Sequence, residues 1–374
     1  MHLTTRITIR WIILMTVLLL GIPAGCALAG AADLVEIGGT ALTASDPYWK
    51  TGGGATADDW DAYFDTGTVT PTLRLKNVTV NTININEEML YANGDIVLEL
   101  LGTNTLSLTG DYFAPAGIAV EGDITITDGT ADGTGHLYID VRNDLMFAAF
   151  NDGVYSDGDI VIQGGQIHIG VESHTISYGV YAYDNLYIHG GEIYVESEGI
   201  AAGAVGAVAF RMSGGLLEVH TRGEFWDCYA LNFEDLLVTG GNGKFISDGN
   251  GFGGIWDVLP GSQFRVLNGQ FIFSGKDEAL YFPGTDTYTP HVTDRIYVST
   301  DRSGAGKLVW NPAMGVLAAT DAAHSAYRYV ELIGSGMDIP QAGDTSRPWL
   351  WLILGCAALL GAGAIMLWHR KRKS

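Results

Sequence analysis

Short runs of alternating apolar and polar residues recur along the middle of the chain at a period of about 24 to 28 residues. The clearest copies begin at Gly153 and Gly179, and each carries a Gly-Gly pair after its first alternating run. Alternation with period two predicts β-strands that bury one face. A unit of this length buries that face only by stacking on neighbouring units, which predicts a solenoid.

Each glycine pair lies between two predicted strands, and each strand is marked by a pair of apolar residues. The pairs before the glycines are Ile96/Leu98, Ile124/Ile126, Ile160/Ile162, Leu186/Ile188, Phe210/Met212, Leu236/Val238 and Phe264/Val266. The pairs after the glycines are Ile167/Ile169, Ile193/Val195, Leu217/Val219 and Phe271/Phe273. Helical periodicity is nearly absent outside the two termini. We therefore predict an all-β, right-handed parallel β-helix of about seven to eight coils with β caps, plus one C-terminal transmembrane helix.

The two ends of the chain predict export and membrane insertion. Arg6 and Arg10, an apolar stretch and a small-residue site near Ala29 are typical of a signal peptide. A lipoprotein signal is the alternative, because Cys26 follows two small residues. Near the other end, residues 349–368 are 20 consecutive uncharged residues, enough to cross a bilayer core of about 30 Å. The basic tail after them predicts a cytoplasmic C-terminus.

These features divide the chain into seven predicted segments. In order they are a signal peptide (1–29), an N-terminal cap with the first strands (30–84), the β-helix repeats (85–284), a C-terminal β cap (285–334), a linker (335–348), a transmembrane helix (349–368) and a basic cytoplasmic tail (369–374). Caps are expected because bare solenoid ends would pair with other chains.

The predicted extracellular part is strongly acidic. It contains all 42 acidic residues and only 14 of the 20 basic ones, a net charge of about −28. Such a field disfavours nucleic acid and other polyanions as partners. Of the three cysteines only Cys228 lies in this part, so no intrachain disulfide is available there, and a small buried residue is expected.

Several runs resemble a family of cell-surface proteins. The order of VEIGGTALT at residues 35–43, TLRLKNVTV at 72–80, LYANGDIVLELLGTNTLS at 90–107 and then Gly-x-x-x-x-Gly-Asp-x-x-Ile-x-Gly-Gly coils is similar to Gram-positive (Firmicutes) β-helix proteins described as containing a carbohydrate-binding domain. The similarity covers roughly residues 33–333. It implies surface display, with an extracellular glycan or a host or neighbouring cell surface as the partner.

The same resemblance extends to a short motif before the apolar tail. Its residues are similar to a sortase sorting signal of the Leu-Pro-x-Thr-Gly kind, and they are Ile339, Pro340, Gln341, Ala342 and Gly343. Ala342 stands where the family has the threonine that forms the acyl-enzyme. Covalent wall attachment by a sortase and simple retention by the membrane helix therefore both remain open.

A row of aromatic residues is the first candidate site. Three residues before each Gly-Asp step or its equivalent stand Tyr91, Ala119, Tyr155, Tyr181, Val205 and Leu231, with Trp256 and Tyr281 in similar places. If the neighbouring aliphatic residues face the core, alternation turns the rings outward as a platform for the apolar faces of sugars. The alternative is an internal aromatic stack or a corner covered by a loop.

A row of acidic residues is the second candidate, formed by Asp95, Asp123, Asp159, Asn185 and Asp235. Oxygen ligands from successive coils could hold calcium. Residues 128–135 also loosely resemble a calcium-binding turn. The alternative is that Asp and Asn hydrogen-bond their own turn backbone.

A polar and aromatic ladder on the second strand is the third candidate. It comprises His168, Tyr194, Glu218 and Lys244, with Gln166, Glu192, Asn242 and Gln270 beside it. Such a face could bind a glycan, and a solvated face without a ligand is the alternative.

An enzyme must also be weighed, because polysaccharide lyases and hydrolases share the β-helix. Asp140 and Asp144 lie near Arg142, and Glu234 adjoins Asp235, but neither set forms a multi-coil cluster of acids with a base. The sequence therefore predicts a non-catalytic surface protein that binds carbohydrate or mediates adhesion. A structural spacer or protein-interaction module is the main alternative, and a polysaccharide lyase or hydrolase is the third.

Overall fold

The computed structural model describes residues 30–83, 87–130, 133–146, 148, 150–199, 201–223, 228–254, 264–282, 291–319 and 325–335. In these ranges the chain is almost entirely β, and its helical content is a single 3₁₀ turn at Pro312–Met314. No helix among the described residues is long and apolar enough to cross a membrane. The predicted signal peptide, sorting motif and membrane segment lie outside the described residues.

The strands fall into an N-terminal group, a long series of three-strand coils and a C-terminal group. The N-terminal strands are β1 (Val35–Ile37), β2 (Thr40–Leu42), β3 (Tyr48–Trp49), β4 (Ala62–Asp65), β5 (Thr72–Lys76) and β6 (Thr79–Val80). The first four coils are β7 (Glu88–Ala92), β8 (Ile96–Leu101), β9 (Thr103–Gly110); β10 (Ala116–Val120), β11 (Ile124–Asp128), β12 (His136–Asn143); β13 (Phe150–Ser156), β14 (Ile160–Ile162), β15 (Gln166–Ser173); and β16 (Ile176–Ala182), β17 (Asn185–Ile188), β18 (Glu192–Gly199). The next three coils are β19 (Ala201–Gly206), β20 (Ala209–Met212), β21 (Leu216–Gly223); β22 (Tyr229–Phe233), β23 (Asp235–Val238), β24 (Asn242–Ser247); and β25 (Asn250–Gly254), β26 (Phe264–Val266), β27 (Asn268–Gly275). The C-terminal strands are β28 (Leu280–Tyr281), β29 (His291–Val292), β30 (Arg295–Ser299), β31 (Leu308–Val309) and β32 (Tyr329–Ser335).

Every coil contributes one strand to each of three long sheets. Sheet I has the order β2-β1-β7-β10-β13-β16-β19-β22-β25-β28. Sheet II has the order β29-β26-β23-β20-β17-β14-β11-β8-β5-β4-β3. Sheet III has the order β31-β30-β32-β27-β24-β21-β18-β15-β12-β9-β6. Strands of successive coils pair in parallel, so the predicted parallel β-helix, with about seven turns, is confirmed.

The core lies between the three sheets and is built from the alternating aliphatic residues. All the apolar pairs predicted before and after the glycines are buried, as are Leu90, Ile118, Val154, Val180 and Leu280 on sheet I. Phenylalanines replace the smaller aliphatics toward the C-terminal end, where Phe245 and Phe273 stack with ring centroids 4.9 Å apart. Cys228 is buried as predicted.

The glycine pairs form the corner between sheets II and III. The second glycine adopts a left-handed conformation that L side chains rarely take, with φ of +89° at Gly191 and +84° at Gly215. At three pairs the first glycine also has no room for a side chain, because a Cβ at Gly190, Gly214 or Gly240 would lie 2.8, 2.6 or 2.4 Å from a carbonyl oxygen of the preceding coil. The corner therefore requires glycine for two separate reasons.

Sheet I bends locally, and this bend sets which of its residues face solvent. Gly179 and Val180 are consecutive and both buried. Pairing with the next coil joins Tyr178 to Gly203 and Val180 to Val205 and leaves Gly179 out. As a result Tyr178 and Tyr181, three positions apart, both point outward.

Antiparallel strands cover part of each end of the parallel stack. Strand β1 pairs antiparallel with β7 on sheet I, and β4 pairs antiparallel with β5 on sheet II. At the other end β32 lies antiparallel to β27 on sheet III. Covered edges protect the solenoid from pairing with other chains.

Candidate functional site

The predicted aromatic row exists on the outer face of sheet I, but with a different membership. In register along the coils the row is Tyr91, Ala119, Tyr155, Tyr181, Gly206, Asn232, Gly253 and Tyr281. The prediction that Val205 and Leu231 belong to it is wrong, because both are fully buried in the adjacent inward row. Trp256 lies outside the described residues.

A shorter turn explains the error at Val205 and Leu231. Five residues lie between the inward Val180 and Leu186 of sheet II, whereas four lie between Val205 and Phe210. A fixed count of three residues back from the turn therefore selects the buried neighbour instead of the outward residue. In a strand, a shift of one residue exchanges the inner and outer faces.

Tyr155 and Tyr181 are the two aromatic residues of this row that the structure brings together. Their rings are nearly parallel, at 4°, with centroids 6.0 Å apart. Adjacent strands are about 4.8 Å apart, so rings one strand apart are offset by roughly 3.6 Å and part of each face stays uncovered. Both residues are half-buried. Burial, and then a hydrogen bond to Asp157, raise the pKa of the Tyr155 hydroxyl.

The other tyrosines of the row are isolated from this pair. Ala119 separates Tyr91 from Tyr155, a gap of about 10 Å at two strand spacings. Burial, and then a hydrogen bond to Glu121, raise the pKa of the Tyr91 hydroxyl. Tyr281 lies four coils beyond Tyr181. The row is therefore not a continuous aromatic platform.

Sheet III carries the second aromatic feature, a stacked column of Tyr138, His168 and Tyr194. The ring centroids of Tyr138 and His168 are 5.0 Å apart, and those of His168 and Tyr194 are 4.7 Å apart, each pair at 16°. Sequence reasoning found His168 and Tyr194 but missed Tyr138. The pattern that indicates it is the alternation of apolar Leu137 and Ile139 after Gly135, which places Tyr138 between them on the outer face.

The geometry of this column differs from that of a sugar platform. Because the rings stack at the strand spacing, the two faces of His168 are covered by its neighbours and only edges reach solvent. Burial, followed by the nearby His136, lowers the pKa of His168, which favours the neutral form of the ring. Beyond Tyr194 the row continues with the predicted Glu218 and Lys244. The column offers hydrogen-bonding groups rather than flat apolar faces.

The acidic row forms a ladder of hydrogen bonds between coils. The Oδ1 atom of Asp95 accepts from the backbone N–H of Asp123 at 2.9 Å. Asp123 accepts from Asp159 at 2.8 Å, and Asp159 accepts from both amide groups of Asn185 at 2.9 and 2.7 Å. These carboxylates therefore bond the backbone, but that of the next coil rather than of their own turn as the alternative reading predicted.

Asp235 ends the ladder differently, since its carboxylate pairs with the guanidinium of Arg211 at 2.5 Å. In the segment that loosely resembles a calcium-binding turn, Asp128 accepts hydrogen bonds from Thr130 and Gly135 of its own loop. Among the described residues no group of three or more His, Cys, Asp or Glu side chains could hold a metal ion. Calcium binding at this row stays a prediction.

Two of the four acids considered for catalysis, Asp140 and Asp235, are engaged in ion pairs with arginine. Asp140 pairs with Arg142 at 3.3 Å on the outer face of sheet III. A shallow depression of about 370 Å³ lies at the corner of sheets II and III, and Asp128, Gln166 and Glu192 contribute to its lining.

No protein family, curated protein or solved structure gives a match to this chain.

Proposed function

We propose that this protein is a non-catalytic binding protein whose outer face on sheet I holds an extracellular glycan. The observation that carries the proposal is the offset, parallel pair of Tyr155 and Tyr181, whose ring faces are partly uncovered. Carbohydrate recognition needs such faces because the apolar side of a pyranose ring packs on them.

The surroundings of the pair also support a binding surface. Ala119 precedes the pair in the row and Gly206 follows it, so no bulky side chain lies next to the rings along the solenoid axis. Phe150, which is 41% exposed, extends the aromatic surface along the same strand as Tyr155. Sheet III supports the proposal less, because its stacked column hides the ring faces.

The proposal includes the setting that the sequence predicts. Residues 1–29 direct export, and residues 349–368 hold the chain in the membrane with the coils outside. Sortase processing at Ala342 and membrane retention are alternative fates of the same tail. We also propose right-handed winding of the coils, which is the rule for parallel strands joined by crossovers.

A glycan array with the purified protein, with and without calcium, tests the proposal. We expect binding to at least one glycan class, and Tyr155→Ala or Tyr181→Ala should weaken the affinity about three- to tenfold, the range for loss of one aromatic contact. Tyr138→Ala on sheet III is the matched control and should leave the affinity unchanged. An array without binding in either condition would overturn the proposal and favour a spacer or interaction module.

A further inference from the structure

Four outward residues on two neighbouring strands of sheet I form a square that we name the Asp152 square. Asp152 and Tyr155 lie on β13, and Tyr178 and Tyr181 lie on β16. The parallel register pairs Asp152 with Tyr178 and Tyr155 with Tyr181. One carboxylate and three tyrosine rings therefore share one patch of the outer face.

The bend of sheet I creates this square. Gly153 and Gly179 are turned inward between the two outward rows, and neither has room for a side chain. A Cβ at Gly153 would lie 2.2 Å from Cγ2 of Ile169, and one at Gly179 would lie 2.0 Å from Cγ1 of Val195. Sheet III thus presses directly against both glycines and fixes the two strands beneath the square.

The tyrosines of β16 lie against the backbone of the following coil. A Cβ at Gly203 would be 2.4 Å from Cε1 of Tyr178, and one at Gly206 would be 3.3 Å from Cδ2 of Tyr181. The two rings are 5.0 Å apart and tilted by 49°. Glycine at these two positions lets the rings lie over the next strand, and the two rings form an aromatic wall beside Asp152.

Asp152 is the chemically unusual member of the square. It is half-buried beside these rings. No N–H or O–H group in the described part of the chain donates a hydrogen bond to its carboxylate. Loss of water raises its pKa to about 7. A carboxylate partly withdrawn from water without a hydrogen-bond partner is unfavourable, so a cation that binds it relieves this cost.

We propose that the Asp152 square binds an amino sugar whose amino group is free, as part of a glycan that carries ammonium groups. The ammonium group pairs with the Asp152 carboxylate, and the apolar face of the sugar ring packs on Tyr181 and Tyr178. This inference rests on the proposed glycan binding and names its chemical class. Tyrosine faces also attract cations directly, which adds to the pairing.

The charge of the whole protein favours the same ligand class. The chain carries a formal net charge of −22 at pH 7. A field of this sign raises the local concentration of a cationic oligosaccharide and repels anionic ones. Long-range attraction and the local carboxylate therefore act in the same direction.

Isothermal titration of the purified full-length chain with two probes tests the inference. The probes are the glucosamine hexamer and the N-acetylglucosamine hexamer, which differ in charge but not in length. We expect the glucosamine hexamer to bind at least tenfold more tightly. Asp152→Asn, which keeps the shape and removes the charge, should weaken that binding about tenfold, as for loss of a charge-assisted hydrogen bond.

Asp184→Asn is the matched control, because Asp184 is exposed in the turn after β16 and its replacement changes the net charge equally. It should change the affinity less than twofold, and circular dichroism should show both variants folded. Equal affinity of Asp152→Asn and the unaltered protein would overturn the inference, since long-range attraction alone would then explain binding. Preference for the acetylated hexamer, or array binding to neutral glycans alone, would overturn it and leave glycan binding standing. If neither hexamer binds and no glycan on the array binds, both proposals are overturned.

Discussion

Replacement of Gly179 by alanine should destabilise the solenoid through a single methyl group. The backbone of Gly179 is not left-handed, so alanine is allowed there by its dihedral angles. The obstacle is space, because the new Cβ would lie 2.0 Å from Cγ1 of Val195 and 2.8 Å from the carbonyl oxygen of Ala204. Both neighbours belong to packed strands, and neither distance is tolerable without a shift.

The expected cost follows from the size of this overlap. Extra methyl groups forced into a packed core cost about 1–3 kcal/mol, and we expect the upper end because the backbone of the next coil must also move. At about 2–4 °C per kcal/mol for a large domain, the melting temperature should fall by roughly 6–12 °C.

Thermal unfolding followed by far-ultraviolet circular dichroism measures this effect. Gly170→Ala is the matched control, because the nearest atom to its Cβ is a side-chain oxygen of Asp140 at an ordinary 3.5 Å. That variant should be neutral or more stable by up to about 1 kcal/mol, since it reduces the entropy of the unfolded chain. The double variant Gly179→Ala/Val195→Ala should lose less stability than the sum of its single changes, because the closest contact is gone.

Equal melting temperatures for Gly179→Ala and Gly170→Ala would refute the packing of sheet III against the bend of sheet I. Additive losses in the double variant would show that Val195 is not the neighbour that excludes the methyl group. Either result would also remove the physical basis for the outward direction of Tyr178 and Tyr181.

Three further predictions concern polar and reactive groups. Asp123→Ala should cost about 1 kcal/mol in urea unfolding, because the Asp159 N–H loses its acceptor, and Asp123→Asn should cost less. Burial raises the pKa of Glu331, but hydrogen bonds led by that from Lys307 outweigh burial and lower it below its ordinary 4.5. Its stabilising contribution is therefore present above about pH 4.5 and lost as pH falls, so melting temperatures between pH 6 and 3 should drop less steeply in Glu331→Gln. Cys228 is buried and should react with a thiol reagent only after denaturation.

Each of these three predictions has an outcome that would contradict it. Equal losses for the two Asp123 variants would mean that charge, not the acceptor, matters at this step. A pH profile of Glu331→Gln as steep as that of the unaltered protein would remove Glu331 as a source of acid sensitivity. Rapid labelling of Cys228 in the native state would contradict its burial.

The fold could be predicted from sequence because its repeat satisfies several local rules at once. The glycine pairs, the apolar pairs such as Ile160/Ile162 and the absence of helical periodicity all favour the same parallel coil. The register of the strands within sheet I was harder to predict from the sequence. It depends on the length of each turn, and the turn after Val205 is one residue shorter than the turn after Val180.

The candidate site was only partly predictable. Tyr155 and Tyr181 follow from their position in the repeat, but their offset depends on three-dimensional packing. The alternating pattern does not indicate Asp152 as a surface residue, because strict alternation places it on the same side as the buried Val154. In the structure the two lie on opposite faces, because Gly153 between them is also buried. A bend that inserts one extra inward residue is invisible to a period-two pattern.

The most direct test of glycan binding on sheet I is a crystal structure of the protein with an oligosaccharide selected on the array. We expect electron density for a sugar ring packed over Tyr181 and beside Tyr155, with any amino group directed at Asp152. Density over the column of Tyr138, His168 and Tyr194 on sheet III, with sheet I bare, would contradict the assignment of the binding face.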